Sequence, residues 1–394
     1  MIVSNKLFGA ILIVAGTSIG ASMLALPLVS SSLGIFHSAL LLFFIWWLGY
    51  YSSIIALKIN SFYSGSFSIS ELCKKTFQSK IWVIADLSIV VLFYSLLAAY
   101  ISGIVEISLV KDLLPSNIAL YIGGLIVFIL MLFIICNFRL FDLSNRIVFL
   151  IKASVFLILL ISLIPQMKCM NIAMANTNLF KSTSLYKAVP VFFTSFGFHG
   201  SIPFIMKYLN CNEQETKKAF LWGSLLSLII YALWILSTVL VLPQYGDLSF
   251  ESVRNGGNDL GAFITVLSTL IGRRSFSLMV TLFSWLAIIT SFLGVGIGLY
   301  DYFLEKFKLD GKFWYNKIKA GMITFIPPIA IAIINKNIFV KALAFAAISL
   351  SILAIILPSL IALKINKTVN LKVPVIVALL MGMVIIIFEI FNFL

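Results

Sequence analysis

Eleven stretches of this chain run for about twenty residues each with almost no charge, and that pattern constrains the fold more than any other feature. Such a length is what a helix needs to cross ~30 Å of hydrocarbon. The stretches lie near 7–32, 36–58, 81–107, 118–137, 147–165, 188–207, 219–242, 276–304, 318–335, 339–363 and 373–393. None alternates apolar with polar residues, whereas a membrane barrel would be built from ten-residue segments of period two. Of the 394 residues, 61% are apolar and 11% charged, and no soluble core of this size could hide so much apolar surface. A soluble enzyme, a disordered chain and a secreted disulfide scaffold are therefore excluded. What remains is an all-α membrane protein forming a single transmembrane domain over 1–394. The longest gap between runs, 243–275, carries an amphipathic stretch from Asp259 to Ile271, expected to lie on the membrane surface or to cap a cavity.

Lys and Arg number 28 against 14 Asp and Glu. A net charge of +14 in a soluble protein would suggest nucleic acid, but here the basic residues sit in the short gaps between apolar runs. With the N-terminus inside, nineteen fall on the inner side and nine on the outer, as the excess of positive charge in cytoplasmic loops requires. Lys152 is counted in the inner set, beside Arg139 and Arg146. An odd number of spans then leaves the C-terminus outside, in the periplasm. Lys6 before an apolar run could pass for a signal peptide, but nothing after it resembles a soluble mature protein, so it is read as the first retained span. Cys73, Cys136, Cys169 and Cys211 are widely spaced in no metal-ligand pattern, and neither a disulfide nor a metal site is expected of them.

Two apolar runs should not be continuous helices. The first contains Ala15-Gly16-Thr17-Ser18-Ile19-Gly20-Ala21-Ser22 and then Pro27; the sixth contains Thr194-Ser195-Phe196-Gly197-Phe198-His199-Gly200-Ser201-Ile202-Pro203. Glycine with hydroxyl residues weakens a helix and proline removes a donor. In lipid the freed backbone groups must be satisfied within protein or at a cavity. Small residues in one span more often mark close helix packing. Two interrupted spans five apart are instead the pattern of inverted-repeat transporters, whose broken helices bind substrate at the midplane. The chain would divide into 1–165 (spans 1–5), 188–363 (spans 6–10) and an appended span at 373–393. The two breaks share composition rather than alignable sequence.

The segment Val14 to Pro27 resembles the first helix of bacterial hydroxy and aromatic amino acid permeases. The run Phe192 to Pro203 is similar to their sixth helix, most nearly that of the tyrosine-specific members, and Thr290-Ser291-Phe292-Leu293-Gly294-Val295 is a third match. The resemblance implies the amino acid–polyamine–organocation superfamily and a leucine-transporter-like 5+5 inverted repeat plus one extra helix, with helices 1 and 6 of eleven broken. It also implies proton-coupled import across the bacterial inner membrane, with lipid as solvent and no cofactor. On that basis Gly16, Thr17, Ser18, Gly20, Ala21 and Ser22 are expected to hold the amino acid backbone. Ser195, Phe196, Gly197, Phe198 and His199 are expected to flank its side chain.

Thr290 and Ser291 stand where sodium-coupled relatives place hydroxyl ligands, and Glu106 is a candidate proton carrier, so coupling to sodium stays open beside coupling to protons. His199 could relay a proton or bond a phenolic hydroxyl; the plain alternative is a neutral ring bonded to a carbonyl. The expected substrate is an aromatic L-amino acid, tyrosine before tryptophan or phenylalanine, because the Phe-Gly-Phe-His turn suits a larger and flatter guest than serine. A polytopic membrane enzyme would need clustered His, Asp or Glu at one face, and a channel would need charged rings or repeated filters. Neither pattern is present, nor is the phosphate-binding loop of an ATP-driven pump.

Overall fold

The computed structural model describes residues 5–109, 116–136, 141–168, 171, 182–256, 259–309, 313–335, 337–365 and 372–393. Among these residues every regular element is helical. In chain order they are α1 (Asn5–Ser18), a 3₁₀ turn (Ala21–Ala25), α2 (Leu26–Ser30), α3 (Ile35–Phe62), α4 (Ile69–Thr76), α5 (Ile81–Ser108), α6 (Ser116–Ile135) and α7 (Phe141–Leu163). There follow α8 (Ser182–Ser195), a second 3₁₀ turn (Phe198–Ser201), α9 (Ile202–Tyr208), α10 (Glu213–Val241), α11 (Phe250–Asn255), α12 (Leu260–Ile271) and α13 (Arg274–Lys306). The last are α14 (Trp314–Ile334), α15 (Phe339–Ser351), α16 (Leu357–Ile365) and α17 (Lys372–Phe393).

Eight helical stretches are long and apolar enough to cross a bilayer, and the bent pair Lys6–Ser18 with Ala21–Ser30 makes a ninth. The expected spans at 118–137 and 147–165 correspond to α6 and α7, whose described apolar portions are shorter, Tyr121–Ile135 and Ile151–Gln166. Exposed Phe, Leu, Ile and Trp side chains recur along α3, α5, α13 and α17. In water such a surface would aggregate; against acyl chains it is the ordinary outside of a membrane protein.

The core is built where small residues let helices approach. At Gly223 of α10 any Cβ would lie 2.5 Å from the Val14 side chain of α1, so the absence of a side chain there sets the closeness of these two helices. A main cluster joins α5, α10, α13 and α15, while a smaller one gathers Leu7, Ala10, Val14, Phe198, Ile202 and Phe220 around the first half of α1. The last helix is docked rather than loose. Pro190 in α8 cannot donate to the Tyr186 carbonyl, and Asn392 of α17 supplies that donor at 2.6 Å.

One sequence expectation needs correcting in detail. Lys152, counted among inner-loop charges, is instead buried within α7; hydropathy places a lysine at a helix end by default, and only packing shows that it lies inside. The amphipathic stretch after Asp259 packs one face on the bundle. Helix α12 starts on the Asp259 side chain, which accepts from Ala262 N–H at 2.5 Å, and buries Leu260, Phe263, Ile264 and Leu267 against α5 and α13. Asp86 pairs with Lys306 and accepts from Ser70 at 2.6 Å, tying α4, α5 and α13 together. Cys73 is buried and Cys136 and Cys211 are exposed; Cys169 lies outside the described residues. Burial, with Asp86 nearby, pushes the Cys73 thiol up to about 11, which keeps it protonated and unreactive.

Candidate functional site

The first span stops being α-helical at Ser18 and bends by 47° before continuing. Gly20 takes an extended conformation, φ −130° and ψ −154°. Its N–H turns back to the Ser18 carbonyl at 2.8 Å, and Ala21 N–H leaves the helix to bond Ser291 Oγ at 3.0 Å. In an unbroken helix those two donors would serve Gly16 and Thr17, so the carbonyls of Gly16 and Thr17 are released from the ladder. A Cβ on Gly20 would stand 2.5 Å from Ser291 Oγ, so glycine is required for this approach to α13. The hydroxyls of Thr17 and Ser18 bond back to Ile13 and Val14 carbonyls. Such back-bonding competes with the helical ladder and favours a bend where α1 ends. Ser22 is buried just past the bend.

The sixth span, Ser184–Tyr208, also leaves the α-helix in its middle, though without the sharp bend of the first. Gly197 N–H reaches back only three residues, to Thr194, and Phe198 N–H bonds Phe196. A 3₁₀ turn then leads into α9, with Pro203 in its first turn. Ser195 Oγ bonds the Val191 carbonyl at 2.9 Å, while its own carbonyl points across to α10. There the Tyr231 hydroxyl lies 2.7 Å from Ser195 O and 2.6 Å from Ser18 O. One fully buried phenol therefore touches both interruptions, and the two breaks are neighbours.

The candidate side chains are distributed unevenly around this point. Phe196 belongs to the main core and meets Tyr231 edge-on, with ring centroids 5.1 Å apart. Phe198 points into the smaller cluster, stacks on His199 and packs on Phe220. His199 Nε2 lies 3.1 Å from the Gly49 carbonyl and 2.6 Å from Ser52 Oγ. Its Nδ1 is buried with no hydrogen-bond partner among the described residues. Thr290 Oγ1 bonds Leu286 and Ala287 carbonyls within α13. Ser291 donates to Ala287 while accepting from the first break. Glu106 stands apart from the breaks, near the C-terminal end of α5. It accepts from Ser102 Oγ at 2.6 Å and from Leu260 N–H at 2.8 Å.

Two polar residues of the site were not singled out from sequence. Tyr231 is one. The other is Lys152, whose buried ammonium donates to the Ile19 carbonyl at 2.6 Å, inside the first break. A polar group midway along an apolar helix was the available signal, since such groups are costly unless they serve a purpose.

A polytopic helical bundle with two interrupted spans facing one another, their loose backbone groups satisfied by side chains from other spans, defines a membrane transport protein. The chain belongs to the tryptophan/tyrosine permease family, whose model matches residues 3–394; it is a transporter and not an enzyme. It is similar to the tyrosine-specific transport system 1 of Haemophilus influenzae, with 34% identity covering 90% of this chain and 87% of that one. The tyrosine-specific transport system 2 of the same organism is 30% identical, covering 97% and 95%. A tryptophan-specific transport protein of Shigella flexneri is 29% identical, covering 91% and 86%.

Proposed function

We propose that this permease imports an aromatic L-amino acid, tyrosine before tryptophan, across the bacterial inner membrane with protons, by alternating access. The observation that carries this reading is the adjacency of the two breaks, reported by the single Tyr231 hydroxyl that touches Ser18 O and Ser195 O. Released carbonyls at Gly16 and Thr17 suit an α-ammonium group, and the start of the second half-helix, past the already bonded Gly20 and Ala21 amides, suits a carboxylate. The nine crossings together with α6 and α7 support a count of eleven spans, which we read as 5+5 with one added, N-terminus cytoplasmic and C-terminus periplasmic on the balance of basic residues.

Tyrosine is favoured over phenylalanine by His199. With the proton on Nε2 directed to Gly49, Nδ1 is an acceptor without a partner among the described residues. A buried acceptor of that kind rejects a ring that lacks the hydroxyl. Tryptophan is the second reading, supported by the relatives that carry that specificity in their names. Protons are favoured over sodium because the Lys152 ammonium already occupies the Ile19 carbonyl beside Ser291 and Thr290. A cation at that place would meet a positive charge where it needs oxygen ligands.

The test is uptake of labelled tyrosine, tryptophan and phenylalanine into membrane vesicles, with each unlabelled compound as competitor, with and without sodium and a protonophore. Tyrosine uptake that collapses with the protonophore and ignores sodium is the expected result. Equal competition by phenylalanine would defeat the tyrosine reading, and a sodium requirement would defeat proton coupling.

A further inference from the structure

The half-spans meeting at Tyr231 come from opposite halves of their own helices' environment. Helix α1 packs against the second 3₁₀ turn and α9, whereas α2 packs against α8, so the first and sixth spans run antiparallel. Ser18 ends the first half of one span and Ser195 ends the first half of the other. The two carbonyls therefore terminate half-helices that reach the centre from opposite faces of the membrane. Tyr231 is fully buried on α10, and its ring is held by the edge contact with Phe196. A phenol has one proton to donate, yet two carbonyl oxygens lie within 2.7 Å of it.

We propose that Tyr231 is a positioning residue for transport: its single hydroxyl proton, shared between the Ser18 and Ser195 carbonyls, pins the two half-helices to a common pivot and fixes the spacing of the breaks. Substrate bound between the breaks then meets backbone groups already at the right separation. Each half-helix can tilt on its own side of the membrane while its inner end stays in place. The mechanical part of this inference stands on the hydrogen bonds alone; its consequence for substrate affinity rests on the transport reading above.

The experiment compares the unmodified protein, Tyr231→Phe, and protein carrying 3-fluorotyrosine at 231, which keeps the ring's shape and its proton. Losing the proton removes the α10 donor from the Ser195 carbonyl and leaves the Ser18 carbonyl with Gly20 N–H alone, at a cost in buried hydrogen bonding. Tyr231→Phe is expected to raise KM for the transported amino acid about tenfold or more, with Vmax per molecule and membrane level little changed; the fluorotyrosine protein stays close to the unmodified KM. Spin labels at Phe8 and Lys187, exposed positions on α1 and α8, report the two half-helices directly, and Tyr231→Phe is expected to broaden their distance distribution.

Unchanged KM and an unchanged distribution in Tyr231→Phe would overturn the pin. So would equal damage by both substitutions, which would make ring packing and not the proton the cause. If the unmodified protein transports no aromatic amino acid, the functional reading fails while the label distances still decide the pin. If Tyr231→Phe does not accumulate, the fluorotyrosine protein decides: its more acidic hydroxyl strengthens the shared bond and narrows the distribution, and no narrowing overturns the proposal.

Discussion

Gly20 and Ser291 form one interaction counted from two sides. Any Cβ at 20 must displace Ser291 Oγ, and that displacement strips Ala21 N–H of its acceptor. A buried donor left bare costs about 1–3 kcal/mol. Gly20→Ala and Ser291→Ala should therefore each weaken substrate affinity roughly tenfold to hundredfold, and the double substitution should be little worse than either alone. A double-mutant cycle on uptake KM, at matched membrane levels, checks this; full additivity would mean that the glycine serves something other than the Ser291 contact. Lys152 invites a different measurement. Replacing it with Met removes the ammonium from the Ile19 carbonyl without adding bulk. Net uptake should lose its dependence on external pH and its sensitivity to a protonophore, while exchange of internal for external substrate persists. A pH profile equal to that of the unmodified protein would make Lys152 a purely structural cation. The glycine was readable from sequence because a break needs it. Lys152 was not, because the same lysine four residues nearer the helix end would be an ordinary interfacial charge, and burial is a property of the neighbours.

At the scale of elements, Glu106 and Ser102 join three helices that sequence gives no reason to connect. Glu106 accepts from Ser102 on its own helix and from Leu260 N–H at the start of α12. Ser102 Oγ also accepts from Ile338 N–H at 3.1 Å. Helix α12 thereby becomes a lid held against α5, with Gly261 packed directly on the Glu106 backbone. Glu106→Ala leaves those donors bare, about 1–3 kcal/mol apiece, and should raise amide hydrogen exchange across 260–271 before any other described segment. Glu106→Gln separates this role from proton carriage. If Glu106 carries the coupled proton, Gln should flatten the pH dependence of uptake; if it is the latch, Gln should loosen α12 and leave the pH profile in place. The presence of an amphipathic helix here was legible from its spacing and its Asp259 cap. Its partner was not, since Glu106 and Leu260 are far apart in the chain and meet only through packing.

For the whole molecule, the two sides of the breaks differ in closure. Beyond the first break, Ser30 and Ser31 are buried, Arg254 of α11 donates to Ser31 Oγ at 3.1 Å, and α12 buries the face carrying Leu260, Phe263, Ile264 and Leu267. Before it, Thr17, Gly200 and Gly294 are exposed though they lie midway along apolar spans. The paired breaks and the helical character of the spans were written in composition and spacing. Which side stands closed was not, because closure is a choice between packings of nearly equal energy that the same sequence must be able to adopt. An asymmetric bundle of this kind makes a definite claim about water. With the proposed topology, in a chain whose other cysteines are replaced, Thr17→Cys and Gly200→Cys should react quickly with a membrane-impermeant thiol reagent added from the cytoplasmic side, and Ser31→Cys should be protected from reagent on either side. Adding substrate together with a proton gradient should shift the balance, slowing Thr17→Cys and exposing Ser31→Cys from the periplasm, because a ligand can move the equilibrium only by binding one state better than the other. Reactivity at both positions that ignores substrate would show that these faces do not exchange access, and the alternating mechanism would have to be abandoned for this chain.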